Sequence, residues 1–204
     1  MMRTRGAAER GIIMEKKILD VTCGSRTIWF DKQHPAAIYC DRRKEAHKGT
    51  WKQSERSCVI EPDVQCDFTD LPFDDNKFAM VVWDPPNLQN ISETAWMAKK
   101  YGRLDSNWQQ MLHDGFRECM RVLKPDGVLI FKWAETQIPA AEVWKAIGEK
   151  PLFGHHSGKK SQTFWGCFAK LDCPQKERRP RHGNCRKRHV RKPERNKAIL
   201  TATV

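Results

Sequence analysis

Short apolar runs alternate along this chain with longer stretches in which apolar positions recur every three or four residues. The runs KILDV (17–21), AIYCD (37–41), SCVIEPDVQCD (57–67), KFAMVVWD (77–84), GVLIFKW (127–133) and TFWGCFAKL (163–171) read as strands. The central ones are continuously apolar, as parallel strands covered on both faces are. Helical spacing is clearest from Trp108 to Leu123, where Met111, Leu112, Gly115, Met120 and Leu123 share a face. KPDG (124–127) then ends that helix with a proline and a turn glycine. A second helix is expected over PAAEVWKAIGEK (139–150). The alternation predicts an α/β fold, an open sheet with helices on both faces.

Two segments depart from it. Leu88 to Asp105 is polar and directly follows a strand, so it is expected to form a mobile lid. GHHSGKKSQ (154–162), flanked by apolar residues, predicts a β-hairpin at the C-terminal end of the sheet. The expected organisation is a flexible lead over 1–15, one catalytic domain over 16–172 with its lid at 88–105, and a tail over 173–204. No internal repeat is visible.

Composition adds three points. A chain of 204 residues suits one domain with a substantial core. The formal charge of +12 is concentrated in the tail: Pro174 to Lys197 holds 11 Lys/Arg against two Glu, a net of +9. That segment has too few apolar residues to pack and is expected to be disordered without a partner. The eight cysteines are scattered without a CxxC pair, the pattern of reduced thiols in the cytoplasm rather than of a disulfide framework. No stretch approaches the roughly 20 apolar residues of a membrane span, and the N-terminus lacks a signal-peptide core. Secretion and membrane insertion are therefore not expected.

The chemistry is carried by strand ends. ILDVTCGS (18–25) is a strand ending at Asp20, followed by a tight turn through Thr22, Cys23, Gly24 and Ser25. Ligands of open α/β sheets bind beyond the carboxyl ends of the strands, and a glycine turn lets the backbone approach a nucleoside-sized molecule closely. Asp41 ends the next strand, 21 residues after Asp20, the spacing at which an acid meets ribose hydroxyls. Asp67, followed by Phe68, is placed to meet an adenine amino group. The same aspartate equally suits a plain turn cap.

VVWDPPNL (81–88) is sharper. Pro85 and Pro86 hold an extended turn directly after a buried strand. An exocyclic amine is a poor nucleophile because its lone pair is delocalised into the ring. The Asp84 carboxylate and the Pro85 carbonyl can accept its two N–H bonds and favour the pyramidal geometry of attack. Such a corner works by positioning and electrostatics rather than as a strong base.

Together Asp20 to Ser25, Asp41, Asp67 and Asp84 to Asn87 resemble the successive motifs of class I S-adenosylmethionine-dependent methyltransferases. DVTCGS resembles the D-P-F-x-G-S loop of the DNA amino-methyltransferases, and RVLKPDGVLIFKW matches the helix–turn–strand that closes their domain. FDKQHP, the FKW strand and the GHHSGKK hairpin are similar to small methyltransferases of phages and prophages. The resemblance covers about residues 17 to 171. It implies a Rossmann-like seven-stranded methyltransferase sheet, S-adenosylmethionine as cofactor, and Asp84, Pro85, Pro86 and Asn87 as the catalytic loop.

Two positions depart from that pattern. Arg26 replaces the second glycine of the loop. Asn87 stands where the family has an aromatic ring to stack on the target. Trp133 is the first replacement for that ring, Trp29, Phe30 and Phe153 are weaker ones, and Lys132 is a candidate phosphate contact. The expected activity is N-methylation of a nucleic-acid base, adenine N6 or cytosine N4, in DNA rather than RNA. An RNA base, a protein side-chain amide, or an inactive nucleic-acid-binding module are the alternatives. A polyanion partner agrees with the basic tail. Cys173, His182, Cys185 and His189 fit no strong zinc pattern and His155 and His156 suit solvent or phosphate, so no metal is expected.

Overall fold

The computed structural model describes residues 15–156 and 162–171. The basic tail, the 1–14 lead, the turn of the C-terminal hairpin and the four tail residues weighed as zinc ligands lie outside the described residues.

A seven-stranded sheet runs in the order β5-β2-β1-β6-β7-β9-β8, formed by β1 (Ile18–Asp20), β2 (Ala37–Asp41), β5 (Val64–Gln65), β6 (Phe78–Trp83), β7 (Leu123–Ala134), β8 (Phe153–His156) and β9 (Thr163–Ala169). β1 pairs in parallel with β2 and β6, and β6 with β7. β9 runs antiparallel between β7 and β8. This is a Rossmann-like, mostly parallel seven-stranded sheet, as expected from the sequence. Its strand order reverses at β1/β6, so the C-terminal ends of those strands face a shared crevice.

The longer helix, α2 (Trp108–Val122), buries Trp108, Leu112, Gly115, Phe116, Cys119 and Val122. This is a period-3.6 stripe, wider than the one read from the sequence. Gly115 is required where α2 crosses the sheet: a Cβ there would lie 2.4 Å from the Phe68 ring. α3 (Ala140–Ile147) packs beside α2 and stops at Gly148, which adopts a left-handed conformation with φ 81°. The main core lies between these helices and β6, β7 and β9. Phe131 is its hub, edge-on to Trp83, Trp144 and Phe168 and stacked on Trp133.

Three expectations are corrected. SCVIEPDVQCD is not one strand. Its first part pairs as β4 (Ser54–Ile60) with β3 (Glu45–Trp51) in a separate two-stranded hairpin, and its second part holds β5. The break falls at Pro62–Asp63, where the Asp63 amide donates to the Tyr39 carbonyl (2.8 Å) and its carboxylate accepts from the Tyr39 amide (3.1 Å). The hairpin carries no Asn-Gly signal, because its turn places Lys52 and Gln53 at φ 44° and 68°. Between β1 and β2 the chain forms turns rather than a helix, packing Trp29 against Cys23, Ala37 and Tyr39. KPDG bulges out of β7 instead of preceding it: Phe78 pairs with Leu123 and Met80 with Val128.

Candidate active site

Two chambers open at the C-terminal ends of β1, β2, β6 and β7. The first is lined by Thr22 to Ser25, Asp41, Arg43, Phe68, Asp84, Pro86, Tyr101 and neighbouring residues, and holds about 50 Å³. The second is lined by Asp84, Pro85, Asn87, Leu88, Met97, Tyr101, Lys132, Ala134, Thr136 and Thr163, and holds about 220 Å³. Asp84 and Tyr101 belong to both.

The turn after β1 builds the floor of the first chamber. Gly24 sits at φ 48°, a left-handed conformation that costs a residue with a Cβ about 1–2 kcal/mol. Its amide donates to Asp41 Oδ2 at 3.0 Å, tying the turn to the end of β2. The Thr22 hydroxyl accepts the Asp84 amide at 2.8 Å, which fixes the Asp-Pro-Pro corner to the same turn. Arg26 shows what the missing second glycine would have served: it too is left-handed, at φ 54°. Its guanidinium donates to the Lys32 and Glu61 carbonyls at 2.7 and 2.8 Å, pairs with Asp63, and lies 3.9 Å from the centre of the Tyr39 ring. Those contacts offset the backbone strain, and they direct the side chain away from the first chamber.

The acids separate into distinct roles. Asp20, 1% exposed, lies behind the turn: its oxygens accept from the Trp29 indole (2.7 Å) and the Thr22 amide (3.1 Å). It therefore shapes the turn instead of lining the chamber. Asp41 does line it, but Arg43 covers both carboxylate oxygens and also donates to the Lys99 carbonyl at 3.0 Å. Asp67 is corrected to a turn cap, since its Oδ1 accepts from the Thr69 amide and hydroxyl at 3.0 and 2.9 Å. Phe68 does line the first chamber.

The aromatic replacements are also corrected. Trp133 is wholly buried and its indole donates to the Ile138 carbonyl at 2.9 Å, because Phe131 and Trp133 alternate with Lys132 and point into the core. Trp29 is held on Asp20. Phe30 and Phe153 are exposed and line neither chamber. The aromatic residue that lines both chambers is Tyr101, on α1 (Trp96–Tyr101). α1 lies within the segment read as a lid, whose ends meet where the Leu104 amide donates to the Leu88 carbonyl at 2.9 Å. Arg43 and Tyr101 were the residues missed. No local motif marks the arginine, while the tyrosine in a polar segment next to the Asp-Pro-Pro corner was the available signal.

Lys132 is not free for phosphate: its ammonium donates to Asp84 Oδ2 at 2.5 Å. Burial pushes the Asp84 carboxyl above the usual carboxylate range, and this lysine pulls it back. Burial pushes Asp20 up to about 7, against the pull of its Trp29 and Thr22 hydrogen bonds and with added repulsion from Asp84 and Asp41. Between about pH 4 and 7 the folded protein thus holds a proton that the unfolded chain has released, so the contribution is complete in acid and lost as pH rises. Removing it from pH 4 to 7 amounts to a loss on the order of 4 kcal/mol. Urea denaturation of the wild type and Asp20→Asn at pH 5, 6, 7 and 8 is expected to show the variant gaining relative stability up to pH 7 and no more above it. Parallel pH profiles would contradict the assignment.

No protein-family model matches the chain, and no curated protein matches it. Among solved structures, the crystal structure of the [4+2]-cyclase SpnF is similar over 67% of this chain, with 16% identity and a TM-score of 0.32. The match takes in 52% of that structure, so this chain spans about half its length. Among the described residues, no helix is long and apolar enough to cross a membrane.

Proposed function

We propose that the protein is an S-adenosylmethionine-dependent N-methyltransferase acting on the amino group of a nucleic-acid base, adenine N6 or cytosine N4, in DNA. One observation carries this reading: Asp84 lines both a chamber built from a glycine turn and a strand-end acid and a second chamber with apolar sides. A donor on one side and an amine on the other would meet at that acid.

The residues of the first chamber suit a nucleoside-bearing cofactor. Gly24 allows close backbone approach, Asp41 offers a carboxylate to a ribose diol, and Phe68 offers a ring edge. Its volume suits one only after Arg43 leaves Asp41 and α1 lifts, because sites for ligands of that size run to about 300 Å³ or more. When bound, S-adenosylmethionine supplies an electrophilic methyl, and the C–S bonding pair stays with sulfur as the amine's lone pair takes the carbon. Asp84 accepts an amine N–H and holds the lone pair in line. It is also the nearest acceptor for the proton that the alkylated nitrogen must lose.

The second chamber has the liquid volume of about seven waters, the scale of one extruded base. Pro85, Leu88, Met97 and Ala134 give it apolar sides, and the Tyr101 ring supplies a stacking surface. Such walls favour a flat heterocycle over a small side-chain amide. Base–aromatic stacking is worth about 1–3 kcal/mol, so Tyr101→Ala is expected to raise KM for the acceptor about 10- to 100-fold, and Tyr101→Phe to restore it. An unchanged KM would remove Tyr101 from the acceptor site.

Incubation with methyl-labelled cofactor and DNA, RNA and protein acceptors, followed by digestion to nucleosides and amino acids, tests the whole reading. Label in N6-methyladenine or N4-methylcytosine of DNA supports it. Label in RNA or protein alone moves the substrate class, and no cofactor binding by calorimetry would leave a binding module.

A further inference from the structure

Asp84 does not stand alone at the end of β6. The register Trp83↔Phe131 places Lys132 of β7 beside it, and the register Lys132↔Trp165 places β9 on the other side. Phe131 and Trp133 are buried in the core, so the side chain between them emerges on the chamber face of the strand. There the ammonium contacts Asp84 Oδ2 and lies 5.8 Å from the centre of the Trp165 ring. The side chains of Lys132 and Asp84 are only 21% and 20% exposed. An acid, a cation and an aromatic ring thus form a row across three adjacent strands.

The groups around Asp84 leave this lysine one task. Asp20 on β1 is a second acid, and the Asp84 charge helps to hold it protonated. The Thr22 hydroxyl is used by the Asp84 amide. The cations lining the first chamber are engaged elsewhere: Arg43 with Asp41 and the Lys99 carbonyl, Arg42 with Asp67, and Lys100 over the Tyr101 ring. Tyr101 of α1 completes the surroundings.

We infer that Lys132 is a positioning residue for the reaction: it holds the Asp84 carboxylate by one oxygen in its charged form and leaves the other oxygen to accept an N–H of the acceptor amine. This rests on the methyltransferase reading of the site. A carboxylate accepts hydrogen bonds through both oxygens, whereas a carboxylic acid presents a donor of its own. An Asp84 that took up a proton would set O–H against the amine's N–H and would lose its capacity to receive the proton released after transfer. Burial drives Asp84 that way, and the Lys132 contact opposes it. The lysine therefore sets how far into acid the enzyme works.

The test uses the full chain with carbon-13 in its aspartate carboxyls, the Asp84 signal being assigned by its loss in Asp84→Asn. In Lys132→Met this signal is expected to titrate at least about one pH unit higher than in the wild type, a tenfold change in the ionisation equilibrium, and Lys132→Arg is expected to restore the wild-type position. The acid limb of kcat should move by the same interval, so that Lys132→Met falls progressively below wild type as pH is lowered, approaching about tenfold on the acid side, and recovers toward alkaline pH. Cofactor affinity should stay unchanged. Coincident Asp84 titrations in wild type and Lys132→Met would overturn the inference, as would an equal loss of rate at every pH or a loss confined to acceptor KM. A wild type that binds cofactor but methylates nothing would sink the proposed function instead, while the carboxyl titration would still decide whether Lys132 sets the charge of Asp84.

Discussion

Asp84→Asn and Asp84→Ala are expected to lower methyl transfer by about 10³-fold or more, with cofactor affinity changed by less than about tenfold. The effect is large because one side chain serves three tasks in the proposed reaction: it accepts the amine's N–H, orients the lone pair, and receives a proton. Asn keeps the size and one acceptor oxygen but brings an NH₂ donor toward the amine, so it is expected to be nearly as inactive as Ala. Asn also keeps the corner folded, since the Asp84 amide that anchors it to Thr22 belongs to the backbone. Single-turnover methylation with saturating labelled cofactor, beside calorimetric titration of the same variants, separates the two effects. Near-normal turnover in either variant would end the assignment of Asp84 as the acceptor-side acid.

Trp133→Ala is expected to cost about 3–5 kcal/mol of stability, the usual range for emptying an aromatic core site. The ring is fully buried, stacked 10° from parallel on Phe131, and its indole satisfies the Ile138 carbonyl. Its removal leaves both a cavity and an acceptor without a partner. Trp133→Phe keeps most of the apolar volume and should lose less, with acceptor KM unchanged. Equilibrium urea unfolding, paired with acceptor KM for the Phe variant, distinguishes a core residue from a stacking platform. A loss under about 1 kcal/mol for the Ala variant would show that the ring is not part of the core.

The sheet was largely legible in the sequence because its central strands are uninterrupted apolar runs. AIYCD became β2 without a change of boundary, and α2 differs from the expected span by one residue at its end. The hairpin of β3 and β4 was hidden for a definite reason. Its residues are mostly exposed, and where burial does alternate, with Cys58 and Ile60 inward, the apolar Val59 between them faces outward, so the sequence pattern does not follow it; its turn uses Lys and Gln where the readable signal is Asn-Gly.

At the site, the residues on the chain's own turns were readable: Thr22 to Ser25, Asp41, Phe68 and the Asp84 to Asn87 corner all reach the chambers. What sequence could not show was which acid a neighbour had already taken. Asp67 caps its own turn and Asp20 is consumed by Trp29, contacts fixed by side-chain direction rather than by spacing. Lys132, 48 residues past Asp84, acquires its partner only when the sheet assembles, and Arg43, two residues past Asp41, finds the Lys99 carbonyl only when the chain folds back over it.

The short helix bearing Tyr101 lines both chambers at once, and its last turn is clasped through the Lys99 carbonyl by the arginine that covers Asp41. A wall held in common makes the two occupants thermodynamically reciprocal. In the proposed reaction, whatever factor the methyl donor adds to the affinity for the acceptor by lifting or lowering that wall, the acceptor must return to the donor. Unclasping the helix is one cost, and whichever molecule arrives first bears it for both.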